Sequence, residues 1–332
     1  MPQPIRYAIL GFGLHAVRRL IPAFAPVQQC TLHGLWRRNQ TLAAENVKQF
    51  GIARNFVTPE ELCSSPEVDA VFIVSPDALH LEHVLLALKH GKPVLCEKPL
   101  SMNAAEASQM LAAASVAGVP FGVAQNFRFN RSLELIRDWI AAGKIGKPAL
   151  AHVEYTYPAQ LSPRTWIADP SLACGGPIAD VGVHCIDALR FVLGSEVTSI
   201  STLARKATPQ AQVESFASLQ MEMTGGVFAS VTVGGQAPYR TVFEITGEDG
   251  VIIAENGLTV DRPLDVTLHR GGELVESVQI SNGDAYTRML DCFALTVRGK
   301  ASFPATGADA LNNMRALDAA YRSWHSGQRE QV

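Results

Sequence analysis

Two short stretches carry the residue types that chemistry needs. Glu97-Lys98-Pro99 follows the apolar run Val94-Leu95-Cys96. A run of that kind suits a buried strand, and proline cannot continue its ladder, so Lys98 is expected in a turn at the strand's C-terminal edge. An ammonium held there can hydrogen-bond a reacting oxygen and stabilise charge that develops on it. The second stretch opens with Cys174-Gly175-Gly176-Pro177 and continues to Asp180, His184 and Asp187. With Pro177 in a first helical turn, Asp180 and His184 fall four apart on one helix face, and Asp187 lies a further turn along. A carboxylate beside an imidazole orients it and tunes its pKa toward neutrality, which proton transfer requires. The same residues also read as a solvated lysine, a helix-capping aspartate and a core histidine, and spacing alone leaves both readings standing.

The elements that must position these groups change character midway along the chain. Arg6 to Leu10 reads as a buried strand, followed at once by Gly11-Phe12-Gly13-Leu14-His15-Ala16 and a helical stretch from Val17. This is G-x-G-x-x-A between strand and helix. The first glycine permits the tight turn, the second lets backbone approach a pyrophosphate, and the helix N-terminus offers free N–H groups to the anion. A second strand, Thr31 to Trp36, ends in Trp36-Arg37-Arg38-Asn39 with no acid to hold a ribose 2′-hydroxyl. Two guanidinium groups there suit a 2′-phosphate, and Trp36 can pack near an adenine, so NADP is expected ahead of NAD. Helices at Gln40 to Phe50, Leu79 to His90 and Asn103 to Gly118 alternate with strands at Val68 to Val74, Val94 to Cys96 and Pro120 to Ala124. That alternation predicts an α/β doubly wound parallel sheet over residues 1–124. Ser75-Pro76 turns the chain at a strand's C-terminal edge and is expected to line the cofactor cleft. His80, His83 and His90 lack a partnering acid and are read as helix-surface histidines with no metal.

Residues 125–332 are expected to form a second, α+β domain. Arg131 to Ala142 has apolar residues at helical spacing, and Ala149 to Tyr157 alternates Val153, Tyr155 and Tyr157 on one side. From Thr198 to about Ile280 the chain is strand-rich. Gly225-Gly226, Gly247 to Gly250 and Arg270 to Gly272 mark hairpin turns, so a large, mostly antiparallel open sheet is predicted. Its exposed face is expected to pair into a homodimer or homotetramer. Helices at Asp284 to Arg298 and Gly307 to Trp324 close the chain.

Composition fits a compact globular chain. Of 332 residues, 47% are hydrophobic and 18% charged, and the formal net charge is -3, which leaves no basic excess for nucleic acid or an anionic membrane. The start, Met1-Pro2-Gln3-Pro4-Ile5-Arg6, lacks the pattern of a signal peptide, and no apolar run is long enough to span a bilayer. The six cysteines are scattered with no C-x-x-C pair, as for free thiols in a reducing cytoplasm.

Taken in order, these motifs resemble the glucose–fructose oxidoreductase / inositol dehydrogenase / MocA family over nearly the whole chain. Gly11-Phe12-Gly13, Ser75-Pro76 with His80, Glu97-Lys98-Pro99, and Gly175-Gly176 with Asp180, Gly182, His184 and Asp187 carry the resemblance. It implies a nicotinamide-dependent oxidoreductase that moves a hydride between cofactor and a sugar, polyol or related carbonyl. Lys98, Asp180 and His184 are the implied catalytic set, in a site formed where the two domains meet. His184 is expected to carry the proton, Lys98 to bind the reacting oxygen, and Asp180 to orient substrate or histidine. Cofactor contacts are expected from Gly11, Phe12, Gly13, Leu14, His15, Trp36, Arg37, Arg38, Ser75, Pro76, His80, Glu97, Lys98 and Asn126. Substrate contacts are expected from Lys98, Arg128, Tyr155, Trp166, Asp180 and His184. Two rival readings share the scaffold: a glycosidase that uses a tightly held cofactor for transient oxidation, and a sensor that binds cofactor or sugar without chemistry.

Overall fold

A computed structural model of the chain describes residues 3–332. Met1 and Pro2, the first residues of the segment read as lacking a leader, lie outside the described residues. The chain divides into two compact units, residues 1–124 with 286–311, and residues 125–285 with 312–332. The sequence reading placed everything after 124 in the second domain. Residues 286–311 instead pack with the first unit, where Asp291 accepts from the amides of Gln28 and Gln29 at 3.0 and 2.8 Å. Tyr7 meets Phe293 there with ring centroids 6.4 Å apart.

The first unit is built on six parallel strands: β1 (Ile5–Leu10), β2 (Cys30–Trp36), β3 (Arg54–Phe56), β4 (Ala70–Ile73), β5 (Val94–Cys96) and β6 (Phe121–Val123). Their spatial order is β3-β2-β1-β4-β5-β6. Strand order therefore reverses between β1 and β4, and open α/β sheets bind ligands beside the C-terminal ends of strands at such a reversal. All four residues of β4 and all three of β5 are buried, as a sheet covered on both faces requires. Each large side chain fully buried here contributes about 1.5–3 kcal/mol. The crossover helices start and stop on local signals. Asn103 accepts from the Glu106 amide at 2.9 Å, and Gly118 ends that helix at φ 64°.

The second unit holds a nine-stranded sheet: β7 (Pro148–Pro158), β8 (Val197–Arg205), β9 (Phe216–Met223), β10 (Phe228–Gly234), β11 (Gln236–Gly247), β12 (Val251–Glu255), β13 (Leu264–Arg270), β14 (Glu273–Ile280) and β15 (Glu330–Gln331). The order is β14-β13-β12-β11-β7-β10-β9-β8-β15. Among the described residues β7 and β10 are the one parallel pair in this sheet; β10 pairs antiparallel with β9, and β7 pairs antiparallel with β11. Alternation sorts the faces. Val153, Val231, Leu219 and Phe243 share one buried face. Leu150 and Phe228, paired in register on the other face, are 54% and 60% exposed.

The helix Val183–Leu193 lies within the second unit, buried from Val183 through Arg190. A five-residue π-helical turn, Ile178–Gly182, leads into it. Such turns recur at functional sites, where the wider winding re-aims a side chain. Among the described residues no helix is long and apolar enough to cross a membrane.

Candidate functional site

In the first unit, the expected cofactor residues gather at the C-terminal ends of β1, β2, β4 and β5. Gly11 sits at φ 97°, and a Cβ there would lie 2.5 Å from the Ser75 amide nitrogen. Only glycine satisfies both conditions, so the turns after β1 and β4 meet backbone to backbone. The Gly11 and Phe12 amides both donate to the Trp36 carbonyl, at 3.1 and 2.9 Å. Gly13, Leu14 and His15 remain partly accessible. Phe12 differs from expectation: its ring is 1% exposed and tilts against Phe50 at 6.2 Å, so the side chain is core.

The turns after β4 and β5 are tied together by His80. Its Nδ1 lies 3.0 and 3.2 Å from the carbonyl oxygens of Pro99 and Leu100, and its Nε2 lies 2.9 Å from that of Ser75. The ring is fully buried. That corrects the reading of His80 as a surface histidine: it is a staple that fixes the Lys98 turn. His83 is likewise buried, with Nδ1 3.0 Å from the Ser75 hydroxyl. Burial, with the charge of His80 added, pushes its pKa down to about 4. Among the described residues no cluster of three His, Cys, Asp or Glu side chains is arranged to hold a metal.

Glu97 links the first and last of these turns. Its Oε1 lies 3.1 Å from His15 Nε2, and its Oε2 accepts from the Lys98 amide at 3.2 Å. Burial alone raises the pKa of this carboxyl. The charge and hydrogen bond of His15, with the charge and amide of Lys98, outweigh it and bring the net shift down. Glu97 is therefore a fixed anion, and Lys98 leaves the same turn partly accessible, before a cis proline. At the end of β2, Arg37 donates to Asn46 at 2.8 Å while Arg38 is exposed. Trp36 donates to the Val57 carbonyl at 3.1 Å and meets His83 edge-on at 5.9 Å.

In the second unit, the helix after Gly175-Gly176 carries Asp180 and His184 as expected, but Asp180 has partners the sequence did not announce. Tyr157 donates to its Oδ2 at 2.6 Å, and Arg164 donates to Oδ2 at 3.0 Å and Oδ1 at 3.4 Å. Burial, then the charge of Asp180, pushes the Tyr157 phenol up, and Asp180 pushes the Arg164 guanidinium up. Both donors therefore keep their protons. His184 stacks on Phe127 with centroids 4.3 Å apart and planes 28° apart. Phe127 also stacks on Tyr155 at 6.4 Å, and Tyr155 meets Tyr157 edge-on at 6.3 Å. The result is an aromatic wall beside a hydrogen-bonded triad of Asp180, Arg164 and Tyr157. Trp166 lies in a short helical turn, Thr165–Ala168, two residues beyond Arg164.

Two other expected residues divide. Asn126 is 2% exposed and its Nδ2 has no hydrogen-bond partner among the described residues, so it is a donor held ready for a ligand or a water. Arg128 is 6% exposed and forks onto Asp187, with Nε 2.9 Å from Oδ2 and Nη2 2.7 Å from Oδ1. Arg190 joins them at 3.6 Å and itself binds Glu196. The expected substrate contact at Arg128 thus belongs to a buried ion-pair chain. Sequence reasoning missed Arg164 as a partner of Asp180. No periodicity marks residues 159–173, although Tyr157 stood on the right side of its strand to be found.

Comparison with known proteins follows the same division. Residues 5–125 match the model of an oxidoreductase family with an NAD-binding Rossmann fold, and residues 133–253 match that of the GFO/IDH/MocA C-terminal domain. A 1,5-anhydro-D-fructose reductase of Ensifer adhaerens is 30% identical over 297 residues, spanning 89% of this chain and 88% of that protein. A D-xylose 1-dehydrogenase [NADP(+)] of Haloarcula marismortui is 26% identical, spanning 97% and 91%. An aldose-aldose oxidoreductase from Caulobacter crescentus, solved with glycerol, superposes with a TM-score of 0.91 at 22% identity, covering 99% of this chain and 100% of that one. The fold, the motifs in order and the full-length relatives agree: the chain belongs to the GFO/IDH/MocA family of NAD-binding oxidoreductases.

Proposed function

We propose that this oxidoreductase acts on a sugar or polyol, prefers NADP(H), and uses Lys98, His184 and Asp180 as its reacting set. The observation that carries the substrate class is the 30% identical relative named as a 1,5-anhydro-D-fructose reductase, matched over 89% of this chain. The aromatic wall of Phe127, Tyr155 and Tyr157 beside the charged Asp180–Arg164 pair supports it, since sugars offer both C–H faces and hydroxyls.

The first unit fits a dinucleotide. The Gly11 turn has no room for a side chain, the switch point lies beside it, and exposed Arg38 stands where β2 ends without a carboxylate. In this reading the first unit, residues 1–124 with 286–311, binds the dinucleotide, and the second unit, residues 125–285 with 312–332, binds the substrate and pairs copies through its open sheet face. Gly11, Gly13, Leu14 and His15 receive the pyrophosphate, and the Phe12 backbone does so without its ring. Trp36, Arg37 and Arg38 receive the adenosine end. Ser75, Pro76 and Glu97 shape the floor, and Asn126 donates its open N–H.

Bound nicotinamide accepts or supplies the hydride. Lys98 donates a hydrogen bond to the reacting oxygen and offsets its negative charge. His184 takes the hydroxyl proton on oxidation and returns it on reduction. Asp180 anchors Tyr157 and Arg164, whose remaining N–H groups meet substrate hydroxyls, and Tyr155 and Trp166 flank the ring.

Absorbance of the nicotinamide, followed over a panel of aldoses, inositols and keto-sugars with both cofactors, tests this reading. Turnover that prefers NADP(H) and collapses in Lys98→Ala supports it. Turnover only with non-carbohydrate alcohols, or with NAD(H) alone, overturns the substrate or cofactor assignment.

A further inference from the structure

Neither Gly175 nor Gly176 sits at positive φ; what forbids a side chain is the neighbour each would meet. A Cβ on Gly175 would lie 1.8 Å from the Tyr321 hydroxyl, and one on Gly176 would lie 2.1 Å from the Glu214 carbonyl oxygen. The Glu214 carboxylate, 2% exposed, accepts from the Gly176 amide at 3.0 Å on Oε2 and from the Ile178 amide at 2.8 Å on Oε1. Tyr321, on the C-terminal helix Gly307–Ser326, donates to the same Oε1 at 3.1 Å.

These are the amides that a helix start leaves without partners, and no side chain within the helix caps them. A buried anion at that end also complements the positive pole of the helix. Glu214 is itself held to the end of the sheet. The next residue, Ser215, donates its amide to Arg205 at 2.9 Å and accepts from the Gly235 amide at 2.8 Å. The turn that presents Asp180 is thus clamped between the sheet end and the C-terminal helix through one carboxylate.

We infer that Glu214 and Tyr321 are positioning residues for the reaction, seating the helix that bears Asp180 and His184 at a fixed depth and rotation. The inference rests on the proposed roles of those two residues. Glu214 and Tyr321 act through the helix they seat. Their effect falls on kcat because a displacement of about 1 Å at a reacting group costs on the order of 10²-fold in rate. Gly175 and Gly176 are small because the clamp closes against their backbone.

The test compares wild type with Tyr321→Phe, Glu214→Gln and Gly175→Ala. Turnover is normalised to cofactor-binding protein, and amide hydrogen exchange is followed by mass spectrometry over residues 176–184. Tyr321→Phe removes one of the bonds on Oε1 and is expected to lower kcat about tenfold. Cofactor Kd should stay unchanged, with faster exchange confined to that segment. Glu214→Gln turns an N–H toward one of the two helix amides and is expected to lower kcat by on the order of 10²-fold. Gly175→Ala must push Tyr321 aside and should match or exceed it.

A merely structural role would lower thermal stability and the yield of cofactor-binding protein while kcat per bound cofactor held. Wild-type kcat in Tyr321→Phe, or exchange unchanged at 176–184, overturns the inference, and Tyr321→Phe decides alone if the other variants do not fold. If wild type turns over no sugar, the proposed function fails first, while the exchange measurement still decides whether the clamp holds the helix start.

Discussion

The Tyr157 hydroxyl lies 2.6 Å from Asp180 Oδ2, and Arg164 covers the rest of the same carboxylate. A half-buried carboxylate with these donors is fixed in direction, so its proposed service to the reaction is orientational. Arg164→Ala should therefore raise the KM for sugar and lower kcat/KM by about 10–100-fold, the loss of hydrogen bonds to a charged group. Tyr157→Phe should cost less, because Arg164 still holds both oxygens. Steady-state kinetics at saturating cofactor check the order of the two effects.

Arg38 and Arg37 should separate in cofactor titrations. Arg38 is exposed at the end of β2, whereas Arg37 is tied to Asn46. Arg38→Ala is expected to weaken NADP(H) binding by about tenfold or more and to leave NAD(H) nearly unchanged, since only the former carries the 2′-phosphate. Arg37→Ala should weaken both more evenly. Fluorescence titration with each cofactor reads the difference.

The buried pair Arg128–Asp187 predicts a stability effect in place of a binding one. Both side chains are almost fully buried, at 6% and 2% exposure. Removing Arg128 leaves Asp187 with Arg190 alone, 3.6 Å away, and breaking a buried pair costs up to about 3–5 kcal/mol. Arg128→Met should lower the midpoint of denaturant unfolding strongly. A variant that unfolds normally but loses only sugar affinity would contradict the structural role.

His83 sets a pH dependence whose sign is fixed. Its pKa falls from the usual 6.5 to about 4 in the folded chain. Between those values the unfolded chain binds a proton that the folded chain does not, so stability is complete above 6.5 and is lost as pH drops toward 4. At about 1.36 kcal/mol per unit the full loss is on the order of 3 kcal/mol. His83→Gln should flatten the stability profile across that window, as measured by urea unfolding.

What the sequence revealed was local. The Gly11 turn, the Lys98 turn and the Asp180–His184 helix each follow from residues adjacent in the chain, where strand, proline and glycine signals act over a few positions. What it concealed was set by packing. Helical spacing put His80 and His83 on one face but could not say that the face was buried. Glu214 and Tyr321 meet the Gly175–Ile178 turn from 36 to 146 positions away in sequence. Residues 286–311 look like an ordinary closing helix until their packing with Tyr7 and Gln28 is known. The parallel β7–β10 seam is equally non-local.

The most direct test of the central claim is the turnover of sugar with NADP(H) by wild type, Lys98→Ala and His184→Ala, each shown to bind cofactor normally. The account predicts NADP(H)-dependent turnover in wild type and a loss of on the order of 10²–10⁴-fold in kcat for each variant, the range for groups that move or stabilise a proton at the reacting oxygen. Full turnover in both variants, with cofactor bound as in wild type, would contradict it.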